Sequence, residues 1–213
     1  MKQSAWSRLA GPIMPLVPSL AGALSTRAAG YFDTDPTRFA KWLCEALGPG
    51  HRIHPAGIAT ATHAADLIAP GGPLTRRVVF ARGHWSMLVT NGPHGTDVGM
   101  LPSLAARELG CIGIRAVCVP DCSDRYPARI LEIFGPDGVP PLLAIRSIAV
   151  SDDGGRWVFE TSGDPLPFED DSAYAAPRKA DRLPPALLLA YLSQLGVPIE
   201  VEPQWETGLL ISR

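Results

Sequence analysis

The sequence predicts an α+β fold, a mainly antiparallel sheet of five or six strands with helices packed over it. Three observations carry this. Short β-rich runs follow one another between turn residues with few helical crossovers, which favours antiparallel pairing. Stretches near 36–47, 98–109 and 183–195 carry apolar residues at helical spacing. Twenty-two prolines and 21 glycines in 213 residues imply many turns and few long helices.

The clearest β signal is Leu142 to Gly163. Leu142–Val150 is apolar and β-branched, Asp152-Asp153-Gly154-Gly155 tolerates positive φ, and Arg156–Thr161 returns as a second strand. Alternation puts Trp157, Phe159 and Thr161 on one side of that strand and Arg156, Val158 and Glu160 on the other. One side needs apolar cover from the rest of the chain.

Taken in order, residues 1–30 form an N-terminal apolar arm and 31–213 a single α+β domain. Lys2 and Arg8 precede the apolar run Gly11–Leu24, and Ala21-Gly22-Ala23 resembles a signal cleavage site. Pro12, Pro15 and Pro18 interrupt a continuous helix there. The expectation is an arm whose Ile13, Leu16, Val17 and Leu20 pack on the body of a cytoplasmic protein, with export as the alternative. No stretch has the roughly 18–20 apolar residues of a membrane span.

Asp35-Pro36 opens a helix with an N-cap acceptor and a proline at the first position, and Gly48 ends it. Its stripe is Phe39, Trp42, Leu43, Ala46 and Leu47. Next come His51, His54, His63 and Asp66, the donor types of a divalent-metal site, but Pro55 disfavours a helix carrying both His51 and His54. Arg77–Arg82 and Trp85–Thr90 flank Gly83-His84 as a hairpin. Gly83-His84-Trp85-Ser86-Met87 lacks the second glycine of a nucleophile elbow. Asn91-Gly92-Pro93-His94-Gly95 lacks the lysine of a phosphate loop. A helix over 98–109 follows, capped by Thr96 or Asp97 and ended by Gly110. Strands at 111–119 and 128–134 are separated from their neighbours by turns at Pro120-Asp121 and Gly135-Pro136-Asp137-Gly138.

Beyond the 142–161 hairpin, Glu160, Asp164, Glu169, Asp170 and Asp171 occur between Trp157 and Pro177 with no Lys or Arg. With Phe168 and Tyr174 as aromatic anchors, this acidic segment is the candidate partner-binding surface, suited to a basic protein. A final helix over 183–195 is apolar at Leu187, Leu188, Tyr191, Leu192 and Leu195. The tail, with Ile199, Val201, Trp205 and Leu209–Ile211, is an added strand or a docking segment.

A net charge of −2, with 46% apolar and 19% charged residues, gives no basic footprint for nucleic acid and no bulk attraction to anionic lipid. Cys44, Cys111, Cys118 and Cys122 are too few and too irregular for a disulfide framework, so they read as reduced thiols. Cys118 and Cys122 have no second Cys or His pair for zinc. No catalytic residue, metal or cofactor is assigned.

The layout Arg146-Ser147-Ile148, Asp153 to Phe159, Gly163, Pro167-Phe168-Glu169, Tyr174, Arg178, Asp181-Arg182-Leu183, Tyr191 and Leu195-Gly196 resembles small bacterial α+β proteins, some of which look like immunity proteins of toxin systems. The resemblance spans about residues 75–197. It implies a protein without chemistry of its own that neutralises a co-encoded toxin by covering its active site. Read on residues alone, Trp157 and Phe159 fill core, and Arg178 or Arg182 pairs with Glu169 or Asp181. The competing reading is a metal-dependent hydrolase or transferase using His84, His94 and Asp97, or His51, His54, His63 and Asp66. Imidazoles and carboxylates converging on one point would favour it.

Overall fold

The computed structural model describes residues 16, 27–58, 61–69, 76–91, 97–119, 121, 126–199 and 203–213. In chain order the elements are β1 (Ala28–Phe32), α1 (Pro36–Ala46), β2 (Arg52–Pro55), α2 (Ala61–Leu67), β3 (Arg77–Arg82), β4 (Trp85–Thr90) and α3 (Leu101–Leu109). Then come β5 (Gly113–Val119), β6 (Ala128–Val139), β7 (Ala144–Asp153), β8 (Arg156–Ser162), α4 (Asp171–Tyr174), a 3-10 turn over Lys179–Asp181, α5 (Pro185–Gln194) and β9 (Gln204–Ser212).

The nine described strands make one antiparallel sheet in the order β2-β9-β3-β4-β1-β5-β6-β7-β8. Antiparallel pairing is as expected, but the sheet has nine strands, not five or six. The additional strands are β1, β2 and β9. β1 lies between β4 and β5 with Tyr31 opposite both Met87 and Ile114, so residues 28–30 belong to the middle of the sheet rather than to a peripheral arm. Leu16 is fully buried; Ile13, Val17 and Leu20, the other residues named for the arm, lie outside the described residues.

Strand alternation divides the core into two layers. On the first face, Tyr31, Phe80, Met87, Ile114, Leu131, Ile148 and Val150 pack with Ala64 of α2 and with Leu188 and Leu192 of α5. On the second, Phe32, Val79, Leu88 and Ile211 pack with Phe39 and Leu43 of α1 and Ala105 of α3. Helices therefore lie on both faces. α1 and α3 contact chiefly β2, β9, β3, β4, β1, β5 and β6. The second face of β7 and β8 is left with half-buried Ala149 and Val158.

Local signals explain several of these elements. The Asp35 carboxylate accepts the Arg38 N–H at 2.9 Å with Pro36 in the first turn of α1, and Trp42 donates its indole N–H to Glu108 at 2.9 Å, joining α1 to α3. Asp97 does not cap α3. The helix begins at Leu101 with Met100 at its N-cap, so Asp97 lies ahead of it and its two oxygens accept the Arg115 guanidinium at 2.7 Å each and the Gly99 N–H at 2.9 Å. Thr96 lies outside the described residues. The turn expected at Gly135–Gly138 is instead strand: β6 runs on through an irregular register to Val139, and the chain reverses at Pro140–Leu143.

Candidate functional site

Three core-facing strand positions hold arginine where the pattern calls for an apolar residue. Arg82 continues Val78 and Phe80 in β3, Arg129 precedes Leu131 and Ile133 in β6, and Arg146 precedes Ile148 and Val150 in β7. All three are buried. A buried guanidinium demands acceptors, and each obtains them from a segment lying over the first face. Arg82 donates to the carbonyls of Pro198 at 3.0 Å, Ile199 at 2.5 Å and Leu16 at 3.2 Å. Arg129 donates to Leu183 and Ala180 carbonyls at 3.2 and 2.6 Å and to the Asp121 carboxylate, with its guanidinium 5.0 Å from the Trp157 ring centre. The arginines fasten connecting segments to the sheet.

Arg146 organises the candidate surface. Its guanidinium makes a two-point bond to Glu169 at 2.8 and 2.7 Å and donates to the carbonyls of Ser162 and Gly163 at 3.2 and 2.6 Å. Glu169 also accepts the Leu166 N–H and the Tyr174 hydroxyl, both at 2.9 Å, and its side chain has no exposed area. Tyr174 lies 3.2 Å from the Tyr191 hydroxyl, which in turn accepts the Asp170 N–H at 2.7 Å. Burial pushes the Glu169 carboxyl up, but Arg146, the Leu166 amide and Tyr174 together outweigh it and hold its pKa below the ordinary carboxylate value. Burial and their mutual hydrogen bond raise Tyr174, and burial raises Tyr191, so both are neutral phenols. The network closes a compact loop from Gly163 to α4 against α5.

This placement divides the seven candidate residues. Glu169 points inward, where Arg146, the Leu166 amide and the Tyr174 hydroxyl together satisfy its carboxylate; among the described residues Arg178 pairs with Asp181, at 3.8 Å on the surface. Phe168 and Tyr174 are half-buried and pack on the core, Phe168 on Tyr191 and Tyr174 on Phe159, with ring centres 5.7 and 5.3 Å apart. Phe159 faces this loop, so Glu160, the next residue of the strand, belongs with Arg156 and Val158 on the opposite face. Asp164 and Asp171 are exposed. Asp170 is half-buried and accepts the Ser172 N–H at 3.0 Å. The acidic run is thus split by the sheet: Asp164, Asp170 and Asp171 share one loop and Glu160 stands apart.

The histidines and carboxylates of the alternative reading do not converge among the described residues, which hold no group of three or more metal-ligating side chains. His51 lies 3.2 Å from the Gly48 carbonyl, His54 is exposed on β2, and His63 and Asp66 are exposed on α2. His84 is an exposed neighbour of Asp33 at 3.6 Å, Asp97 is taken by Arg115, and His94 lies outside the described residues. Cys111 and Cys118 are free, and burial pushes both thiols up to about 11, away from reactivity. Cys122 lies outside the described residues. No described helix is long and apolar enough to cross a membrane.

The chain matches no family model, no curated protein and no solved structure. The fold defines a sheet-dominated α+β protein in which buried arginines pin loops to one face of an antiparallel sheet.

Proposed function

We propose that this chain is a non-catalytic binding protein whose pinned loop presents Asp164, Asp170 and Asp171 to a basic protein partner. Its specific form is an immunity-type protein that occludes a toxin. The observation that supports this reading is the Arg146–Glu169–Tyr174–Tyr191 network. A solvated acidic loop loses conformational freedom when a partner orders it, whereas a loop already fixed by buried bonds avoids that cost and holds its charges in one arrangement. Rim carboxylates of this kind act mainly on encounter and on choice of partner.

The test is co-expression with the product of the adjacent gene. Rescue from toxicity and co-purification are expected. In the purified pair, Asp164→Lys with Asp171→Lys should lower the association rate about tenfold or more at low salt and flatten its salt dependence, with the thermal midpoint nearly unchanged. Unchanged toxicity together with no co-purification would sink the proposal.

A further inference from the structure

The two ends of the sheet differ. β2 has four residues and finishes at Pro55, a short edge of the kind that resists further pairing. β8 has seven residues and no proline. Its hairpin turns through Gly154 and Gly155 at φ 61° and 90°, with Asp153 opposite Arg156. In a two-residue hairpin that flanking pair is hydrogen-bonded, so alternation turns the N–H and C=O of Trp157, Phe159 and Thr161 away from β7. Among the described residues, none outside β7 hydrogen-bonds the backbone of residues 156–161. The outer edge of β8 is an open template.

We infer that β8 pairs edge to edge with β8 of a second copy of this chain, antiparallel about a two-fold axis at Val158. The sequence of the edge selects both the partner and the register. With Val158 opposite its own equivalent, Arg156 faces the second copy's Glu160 and Glu160 faces the second copy's Arg156. Both are exposed, and neither enters an ion pair within the chain among the described residues. Trp157 falls opposite Phe159, and these two outward-facing residues exchange the ladder hydrogen bonds. The charged residues occupy the non-hydrogen-bonded positions, where facing side chains lie closest. An axis at Phe159 would instead set Glu160 against Val158 and Arg156 against Ser162, and an axis at Glu160 would oppose two carboxylates. Only the Val158 axis satisfies both charges twice. The axis stands normal to the sheet, so the helical layers of the two copies continue on the same faces. The contact is a single strand pair, smaller than a standard stable interface, so the dimer is reversible.

Sedimentation velocity on the full chain over a concentration series should show a monomer–dimer equilibrium. Glu160→Lys or Arg156→Glu alone replaces two attractions by two repulsions and should weaken the dimer about tenfold or more, while the double swap should restore it. Val158→Cys places two thiols across the axis with Cα atoms about 4.5 Å apart, within disulfide range, and should give a covalent dimer on mild oxidation that the parent chain does not form. A chain monomeric at every concentration, a dimer indifferent to both single reversals, or a failure of Val158→Cys to cross-link would each overturn the inference.

Discussion

Arg146→Ala is expected to destabilise the protein by about 3–5 kcal/mol, seen as a lower urea midpoint with little change in slope. The side chains of Arg146 and Glu169 are 4% and 0% exposed. Removing the cation leaves a carboxylate in the interior with only an amide and a phenol as donors, and it takes away the bonds that tie the Ser162 and Gly163 carbonyls to β7 through Arg146. Replacing both members, Arg146→Met with Glu169→Met, should cost less than Arg146→Ala alone, because most of the loss is an unpaired buried charge rather than the worth of the pair. The loop should also become the first site of limited proteolysis, between residues 164 and 174. The same pair sets an acid limit. Glu169 titrates lower in the folded chain than in the unfolded one, so its stabilisation is complete above the ordinary glutamate value of about 4.3 and is lost as pH falls through the lower folded value. Glu169→Gln should flatten the stability profile in that window. A wild-type profile equal in slope to that of the variant below pH 4.3 would contradict the assignment.

How far this network could be read from the chain depends on the distance over which each signal acts. The α1 helix was legible because Asp35, Pro36 and Gly48 act within a turn of the residues they govern. The 142–163 hairpin was legible from its alternation and its glycines. β1 was hidden, because Ala28-Ala29-Gly30 has little strand propensity and gains its place only by pairing with β4 and β5, far along the chain. The tail was legible as an added strand or a docking segment, and β9 is the strand; its place in the sheet was obscured by Glu206-Thr207-Gly208, where its pairing with β3 shifts register. Glu169 looked like part of a solvated acidic run, since its partner lies 23 residues earlier in another strand. One signal was present: Arg146 shares the inward phase of Ile148 and Val150, as Arg129 does that of Leu131 and Ile133. A cation in that phase requires buried acceptors, and the nearest segment rich in them is the acidic run after β8.

Gly163→Ala should be the most damaging single-methyl change near the loop, at roughly 2–4 kcal/mol. Gly163 has φ +79°, and a Cβ there would lie 2.0 Å from the Ile145 carbonyl oxygen. Backbone on both sides leaves no flexible side chain to yield, so β7 and the residue leaving β8 must separate. That separation carries the Gly163 carbonyl away from Arg146, whose 2.6 Å bond fixes where the loop begins. The two substitutions therefore damage the same unit and should not add: the double variant Arg146→Ala, Gly163→Ala should lose at least about 1 kcal/mol less than the sum of the singles. Strict additivity in that cycle, measured by urea unfolding, would mean that Gly163 serves only the local path of the chain and that the loop is held by Glu169 alone. Coupling would show instead that the turn out of β8 and the buried ion pair form one device, so that whatever positions the exposed carboxylates of Asp164 and Asp171 is set in strands β7 and β8 before the loop begins.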